Sequence, residues 1–408
     1  MSADQPDFQA VTGMQPALCR DLFELPDGII YLDGNSLGAL PKATKPRLEH
    51  VVRNEWGDDL IAGWTKHDWI DAPAQVAGKL ARLVGAEPSE LLITDSTSVS
   101  LFKLLAAAVL AGSGRTVVLT EQGNFPTDLY VAQGLCDMLG ITLRRVPREA
   151  LGTSLDDSVA VLMLTHVDFR SGEVHDMAEL SAAARSAGAI NLWDLSHSAG
   201  AVELDLDGAG CDLAVGCGYK YLNGGPGAPA FTFVSEALQD RLQPPLQGWM
   251  GHADPFAFAP EYRPANGIQR FSTGTPPILA LAALECGIAT FDGLAMAKVA
   301  AASRALSERF LTEIESRCGN ALKLLSPRDP MRRGSQLSFA HREGYAVMQA
   351  LIANGVVGDF RAPDLIRFGF APLYNSEEEV VRAAEILGGI LNSGEWDQPR
   401  YHARSRVT

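Results

Sequence analysis

The sequence predicts an α/β chain: a large unit built on a mainly parallel seven-stranded sheet flanked by helices, with a smaller α+β unit beside it. Three observations carry that expectation. Strand-like and helix-period segments alternate from about residue 72 to about residue 230. Runs such as Val159-Ala-Val-Leu-Met-Leu164 are apolar throughout, as strands covered on both faces are. Glycines stand where helical patterns stop, at Gly85 and Gly188.

In chain order, residues 74–84 have helical spacing, 91–94 form a short strand and 96–111 read as a long helix. Strands follow at 116–120, 141–146 and 159–165, then a helix at 177–187 and strands at 189–193, 213–217 and 230–234. Residues 243–275 are rich in Pro, Gly and aromatics without periodicity, so they read as a loop region over a site or toward a partner subunit. Helices at 277–291 and 295–318, short strands at 335–339 and 366–370, and helices at 345–354 and 377–391 make the smaller unit. This places the large domain at residues 56–284 and the small one at 1–55 together with 285–408.

With 408 residues, 47% of them hydrophobic, the chain can bury one large core or two modest ones. A net charge of −15 weighs against nucleic acid as a partner, because phosphate backbones demand clustered Lys and Arg. The six cysteines form no C-x-x-C pair, so neither a metal site nor a redox dithiol is indicated, and free thiols fit a reducing compartment. The acidic N-terminus has no apolar stretch behind it, and apolar runs elsewhere are too short or carry charge. A cytoplasmic protein without a membrane partner is expected.

Open sheets of this kind bind ligands beyond the carboxyl ends of their strands. Polar residues gather there: Asp95 to Ser98, Asn124 to Asp128, Thr165 to Asp168, Asp194 to His197, and Tyr219 with Lys220. Lys220 follows an apolar strand and is hemmed in by glycines and tyrosines, a poor place for a solvated charge. Stripped of water, it is a competent amine for imine chemistry and a general base. Asp194, at the end of the preceding strand, would keep a pyridinium nitrogen protonated, so the pair points to pyridoxal 5'-phosphate. Taken singly, Lys220 reads more readily as a snorkelling surface lysine, and Asp194 also reads as a helix cap; the two together reverse that reading.

Other candidates sit around that pair. Thr97 and Ser98 open a helix whose free amides suit a phosphate, or simply form its cap. Phe125 would stack on a flat ring with Asp128 as a second carboxylate nearby, or mark a proline turn. His197 would meet the ring or its polar edge. Arg367, flanked by apolar residues, would bind a substrate carboxylate in fork geometry, with a surface ion pair as the bland alternative.

These residues stand in runs that resemble the kynureninases, fold-type I pyridoxal-phosphate enzymes of the aminotransferase-like superfamily. The runs are Tyr31-Leu-Asp-Gly-Asn-Ser-Leu-Gly-Ala-Leu-Pro41, Asn124-Phe-Pro-Thr-Asp128, Asp194-Leu-Ser-His-Ser-Ala-Gly200, Tyr219-Lys-Tyr-Leu-Asn-Gly-Gly-Pro-Gly227, Gly248-Trp249, Phe271-Ser-Thr-Gly-Thr-Pro-Pro277 and Ala371-Pro-Leu-Tyr-Asn-Ser376. The resemblance implies that Lys220 carries the cofactor as an imine, Asp194 pairs with its ring nitrogen, and Thr97, Ser98, Tyr219 and a neighbouring subunit's copy of Trp249 surround its phosphate. Phe125, Asp128, Thr165, His197 and Thr275 occupy other cofactor positions. Arg367, Trp64, Asn35 and Ser36 would serve the substrate.

The implied reaction is hydrolysis of L-kynurenine to anthranilate and L-alanine in tryptophan catabolism, with Lys220, Tyr219 and Asp194 as the catalytic set and Tyr219 as proton shuttle. A homodimer with sites at the subunit interface is implied as well. Thr275 stands where enzymes for 3-hydroxykynurenine carry asparagine, which puts that second substrate in question. The rival is a cysteine desulfurase or lyase of the same superfamily, which needs a mobile catalytic cysteine. Cys286 and Cys318 both fall inside helical patterns. A non-catalytic cofactor-binding relative would have lost Lys220 or Arg367, and both are present.

Overall fold

The computed structural model describes residues 15, 17–112 and 114–404. Seven strands form one sheet: β1 (Leu91–Thr94), β2 (Val117–Glu121), β3 (Thr142–Val146), β4 (Val159–Thr165), β5 (Ile190–Asp194), β6 (Leu213–Cys217) and β7 (Ala230–Val234). Their order across the sheet is β1-β7-β6-β5-β4-β2-β3. Neighbours from β6 through to β3 run parallel, while β7 is antiparallel to both β1 and β6. Every residue of β4 is buried, as its unbroken apolar run requires.

Side chains alternate between the two faces of each strand, and the core divides accordingly. Ile93, Leu119, Leu162, Trp193 and Phe231 pack on one face with helix Ala72–Val84. Leu92, Val118, Val161, Leu192 and Val215 pack on the other with Leu104 and Leu105 of helix Thr97–Ala111. That second helix starts where the Ser96 hydroxyl accepts from the Val99 amide. One long helix of the large unit escaped the sequence reading. Pro126 begins helix Pro126–Leu139 rather than a turn, its fixed φ serving the first helical position, and Gly140 at φ 68° ends it.

A four-stranded antiparallel sheet of β8 (Lys323–Leu324), β9 (Gln336–Ala340), β10 (Asp359–Arg361) and β11 (Leu365–Gly369), ordered β8-β9-β11-β10, supports a separate core with helices Gly344–Ala353 and Glu377–Ser393. Strands β8 and β10 are too short for their periodicity to be read. Residues 243–275 hold three short 3-10 turns and no α-helix or strand, as their composition foretold. Among the described residues, no helix is long and apolar enough to cross a membrane.

The N-terminal stretch joins both cores. Ile30–Tyr31 pairs in parallel with Val356–Val357, Asp33 bridges to Gly369, and helix Thr44–His50 packs on helix Ile278–Ala289. Residues 33–38 therefore turn at the seam between the two sheets.

Phe310, fully buried, meets Phe368 at 4.9 Å and Phe370 at 5.5 Å between ring centroids. Phe310→Ala should cost about 3–5 kcal/mol, transfer and cavity terms together. Urea unfolding followed by circular dichroism checks this, and a loss below about 1 kcal/mol would mean that the aromatic cluster repacks.

Candidate active site

Strand β6 ends at Cys217, and residues 218–220 bend away from it, leaving Tyr219 and Lys220 half-buried. The turn from the N-terminal stretch clamps this bend. The Gly38 amide donates to the Tyr219 carbonyl at 2.9 Å. A Cβ at Gly38 would lie 2.4 Å from the Lys220 carbonyl oxygen, so only glycine fits. Lys220 Nζ lies 6.0 Å from the ring centroids of both Phe125 and Tyr219. Burial, with Cys217 and Asp194 nearby, pushes the Tyr219 phenol up and holds its proton on.

Asp194 is the last residue of β5, buried, and its Oδ1 accepts the Ser196 amide at 2.6 Å. Turns rather than a helix follow it, so it caps nothing. Asp128 lies in the first turn of helix Pro126–Leu139, buried too. Thr165 Oγ1 sits 3.1 Å from Asp128 Oδ2 and also meets Asn124 Oδ1, which accepts the Phe125 amide at 2.7 Å. Burial, then the charge of Asp194, pushes the Asp128 carboxyl well above the usual range, although Lys220 pulls the other way. Two carboxyl groups thus share a buried space facing one lysine.

His197 is buried, and its Nδ1 lies 3.0 Å from Gln336 Oε1. Burial, then the charges of Lys220 and Arg367, pushes its pKa well down, so the ring is neutral. Arg367, in the middle of β11, is buried rather than on the surface. Its Nε donates to Asp359 Oδ1 at 2.6 Å, its Nη2 pairs with Asp359 Oδ2, and its Nη1 donates to the Phe169 carbonyl. The guanidinium is therefore already neutralised by Asp359, directly opposite it on β10. Burial opposes ionisation of Asp359, yet Arg367 and Arg361 hold its carboxyl below the usual range.

The Ser36 hydroxyl donates to Asp359 Oδ2 at 2.7 Å. Asn35 is buried with neither amide atom hydrogen-bonded, and a Cβ on Gly369, two residues past Arg367, would fall 2.0 Å from its Oδ1. An unpaired buried amide is costly, so Asn35 holds unmet hydrogen-bonding capacity beside Gly369. Asp33 Oδ1 is likewise enclosed and unpaired.

Thr97 and Ser98 are half-buried at their helix start, and the Ser96 cap engages only the Val99 amide. Asp95, at φ 50°, shapes that turn and is held by Lys103, a fully buried cation that also donates to the Phe271 carbonyl at 2.6 Å and to Thr273 Oγ1 at 3.1 Å. Thr275 shares a cavity of about 270 Å³ with Asp95. Trp249 is exposed and packs edge-on against Phe256, and Trp64 packs edge-on against Trp69. Among the described residues, no ring contact or hydrogen bond joins these last three residues to Lys220.

Sequence reasoning did not single out Asp33, Asp359, Gln336, Phe169 or Lys103. Lys103 carried the clearest signal, a lone lysine in an otherwise apolar helix.

Tested against a pyridoxal phosphate group, the donor set matches. It offers an amine, a buried carboxylate pair that calls for a cationic partner, a flanking aromatic, a helix start with amides outside its cap, and orphaned amide atoms at Asn35. Fold and site together define a pyridoxal-phosphate-dependent enzyme of fold-type I. Solved structures share the architecture: the apo cysteine desulfurase of Thermococcus onnurineus NA1 (TM-score 0.79, 20% identity, 92% of this chain and 97% of that one). So does a C-DES variant with glycine covalently linked to its PLP cofactor (TM-score 0.80, 19% identity, 90% and 98%).

Residues 299–387 match the family model for the kynureninase C-terminal domain. Across 397 residues, 95% of either chain, the sequence is 49% identical to the kynureninase of Pseudomonas fluorescens and 48% identical to that of Burkholderia mallei strain SAVP1. The chain belongs to the kynureninase family.

Burial, then the charge of Asp359, pushes Asp33 up to about 7, against about 3.9 when unfolded. Between those values the folded chain holds more protons, so stability falls as pH rises from about 4 to about 7. Asp33→Asn should remove that contribution, and its urea midpoint should decline less than that of the parent chain from about pH 5 to about pH 8. Parallel declines would show Asp33 ionised throughout.

Proposed function

We propose that this chain hydrolyses L-kynurenine to anthranilate and L-alanine, using pyridoxal 5'-phosphate held at Lys220. The carrying observation is the set of an amine, a buried carboxylate pair and a buried arginine, in a chain 49% identical to a kynureninase over nearly its whole length. When bound, the cofactor supplies an electron sink at the substrate α-carbon.

The rest is work for the chain's own side chains. Lys220 Nζ holds the cofactor and, once released, takes the α-proton. Asp194 pairs with the ring nitrogen, with Asp128 beside it, its carboxyl pushed well above the usual range by burial and then by the charge of Asp194. Phe125 covers the ring, and the Thr97 and Ser98 amides and hydroxyls meet the phosphate. Arg367, aimed by Asp359, binds the substrate carboxylate through its remaining donors, and Asn35 and Ser36 border that end. The Tyr219 hydroxyl, whose proton is firmly held, delivers it to the departing fragment.

We infer a cytoplasmic homodimer, in which Trp249, Thr275 and Trp64 reach a neighbouring subunit's site. The exposure of Trp249 supports this. Against the desulfurase reading, Cys318 lies buried in helix Met296–Cys318 with its thiol pushed up to about 11 by burial, and Cys286 lies in helix Ile278–Ala289 with its thiol raised as well. Neither offers the exposed, low-pKa thiolate that sulfur transfer needs.

Purified, cofactor-loaded protein should release fluorescent anthranilate from L-kynurenine and no sulfide from L-cysteine; sulfide without anthranilate would overturn the reading. Lys220→Arg should lower turnover by about 10³-fold and abolish the visible absorbance of the lysine-bound cofactor. Turnover that persists would put the imine on another amine.

A further inference from the structure

Gln336, on β9 and 1% exposed, stands between a backbone carbonyl and a histidine. Its Nε2 donates to the Phe169 carbonyl at 3.1 Å, and its Oε1 lies 3.0 Å from His197 Nδ1. A carbonyl oxygen only accepts hydrogen bonds. Turning the amide over would set two oxygens 3.1 Å apart in a buried site, so its orientation is determined by the backbone rather than by choice. With Oε1 facing the imidazole, Nδ1 must carry a proton. A neutral ring has only one N–H, which leaves Nε2 with a free lone pair.

The surroundings favour the same state. Lys220, Arg367 and Arg361 all act on the ring as cations and disfavour a second proton. Gly172, at φ 74°, makes room for the arrangement, because a Cβ there would lie 2.8 Å from Gln336 Cγ. The Phe169 carbonyl also accepts from Arg367 Nη1, so both of its lone pairs are in use.

We propose that Gln336 is a positioning residue for the kynurenine reaction: it locks His197 in the Nδ1–H tautomer, so that Nε2 meets cofactor and substrate as a hydrogen-bond acceptor. His197 then takes hydrogen bonds from N–H or O–H groups and does not act as a proton donor to a substrate carbonyl. Because the Phe169 carbonyl serves Arg367 and Gln336 alike, the carboxylate anchor and the tautomer lock are set by one atom.

This rests on the reading that places His197 in the kynurenine site, and the test separates the two. Long-range ¹H–¹⁵N correlation spectra of the holoenzyme, labelled in histidine and assigned with His197→Gln, should show a protonated Nδ1 and a bare Nε2. In Gln336→Met the ring should shift toward Nε2–H, with kcat lower by about 10- to 100-fold, the range that outer partners of functional histidines carry. KM for L-kynurenine should stay within about threefold, since the substrate anchor is untouched. Gln336→Glu, which when protonated offers the same donor and acceptor, should restore the Nδ1–H form and most of kcat at acidic pH.

A wild-type His197 protonated at Nε2, or at both nitrogens, overturns the proposal, as does an unchanged tautomer in Gln336→Met. If Gln336→Met fails to fold, the wild-type spectrum still decides. That spectrum is taken without substrate, so absence of anthranilate release would sink the functional reading separately.

Discussion

One backbone oxygen, the carbonyl of Phe169, joins the two sheets at the site. It accepts from Arg367 on β11 and from Gln336 on β9, both in the small sheet, while Phe169 itself follows the large sheet's β4. Its ring packs edge-on against Phe125 at 5.2 Å. The loop after β4 thus fixes an aromatic wall, a guanidinium and, through Gln336, a histidine. Because a carbonyl cannot switch from acceptor to donor, every polar group that touches it inherits an orientation. The precision of the cleft derives from a main-chain atom on a packed framework rather than from flexible side chains.

The large sheet was legible because fully buried strands write unbroken apolar runs and helices write glycine stops. Lys220, Asp194 and the Thr97-Ser98 helix start were legible for a related reason: polar residues at strand ends interrupt an otherwise apolar pattern. The helix from Pro126 was not, since a proline after an aromatic reads as a turn until the chain beyond it is seen to continue. Asp359 and Gln336 left no trace at all. Each lies on a strand of three to five residues in the small sheet, and each matters only through a partner on another element, Arg367 for Asp359 and His197, 139 positions away, for Gln336. Register places Asp359 opposite Arg367, and register is a property of pairing that one strand's sequence does not contain.

The same electrostatic device occurs twice in the cleft. Near Lys220, Asp194 stands beside Asp128, whose carboxyl is driven toward neutrality by burial and by its neighbour. Near Arg367, Asp359 is held ionised while Asp33 is driven up. In both places burial and a neighbouring carboxylate push a second carboxyl toward its protonated form, because two like charges in one buried space cannot both be ionised cheaply. Beside the Thr97-Ser98 helix start, the proposed phosphate site, Lys103 is committed to Asp95. A phosphate held there, as proposed, would be met by amides and the helix dipole, which act only over short range and in fixed directions. The turn that aims those amides is the one Lys103 braces, and this gives a charge buried in an apolar helix a reason to be there.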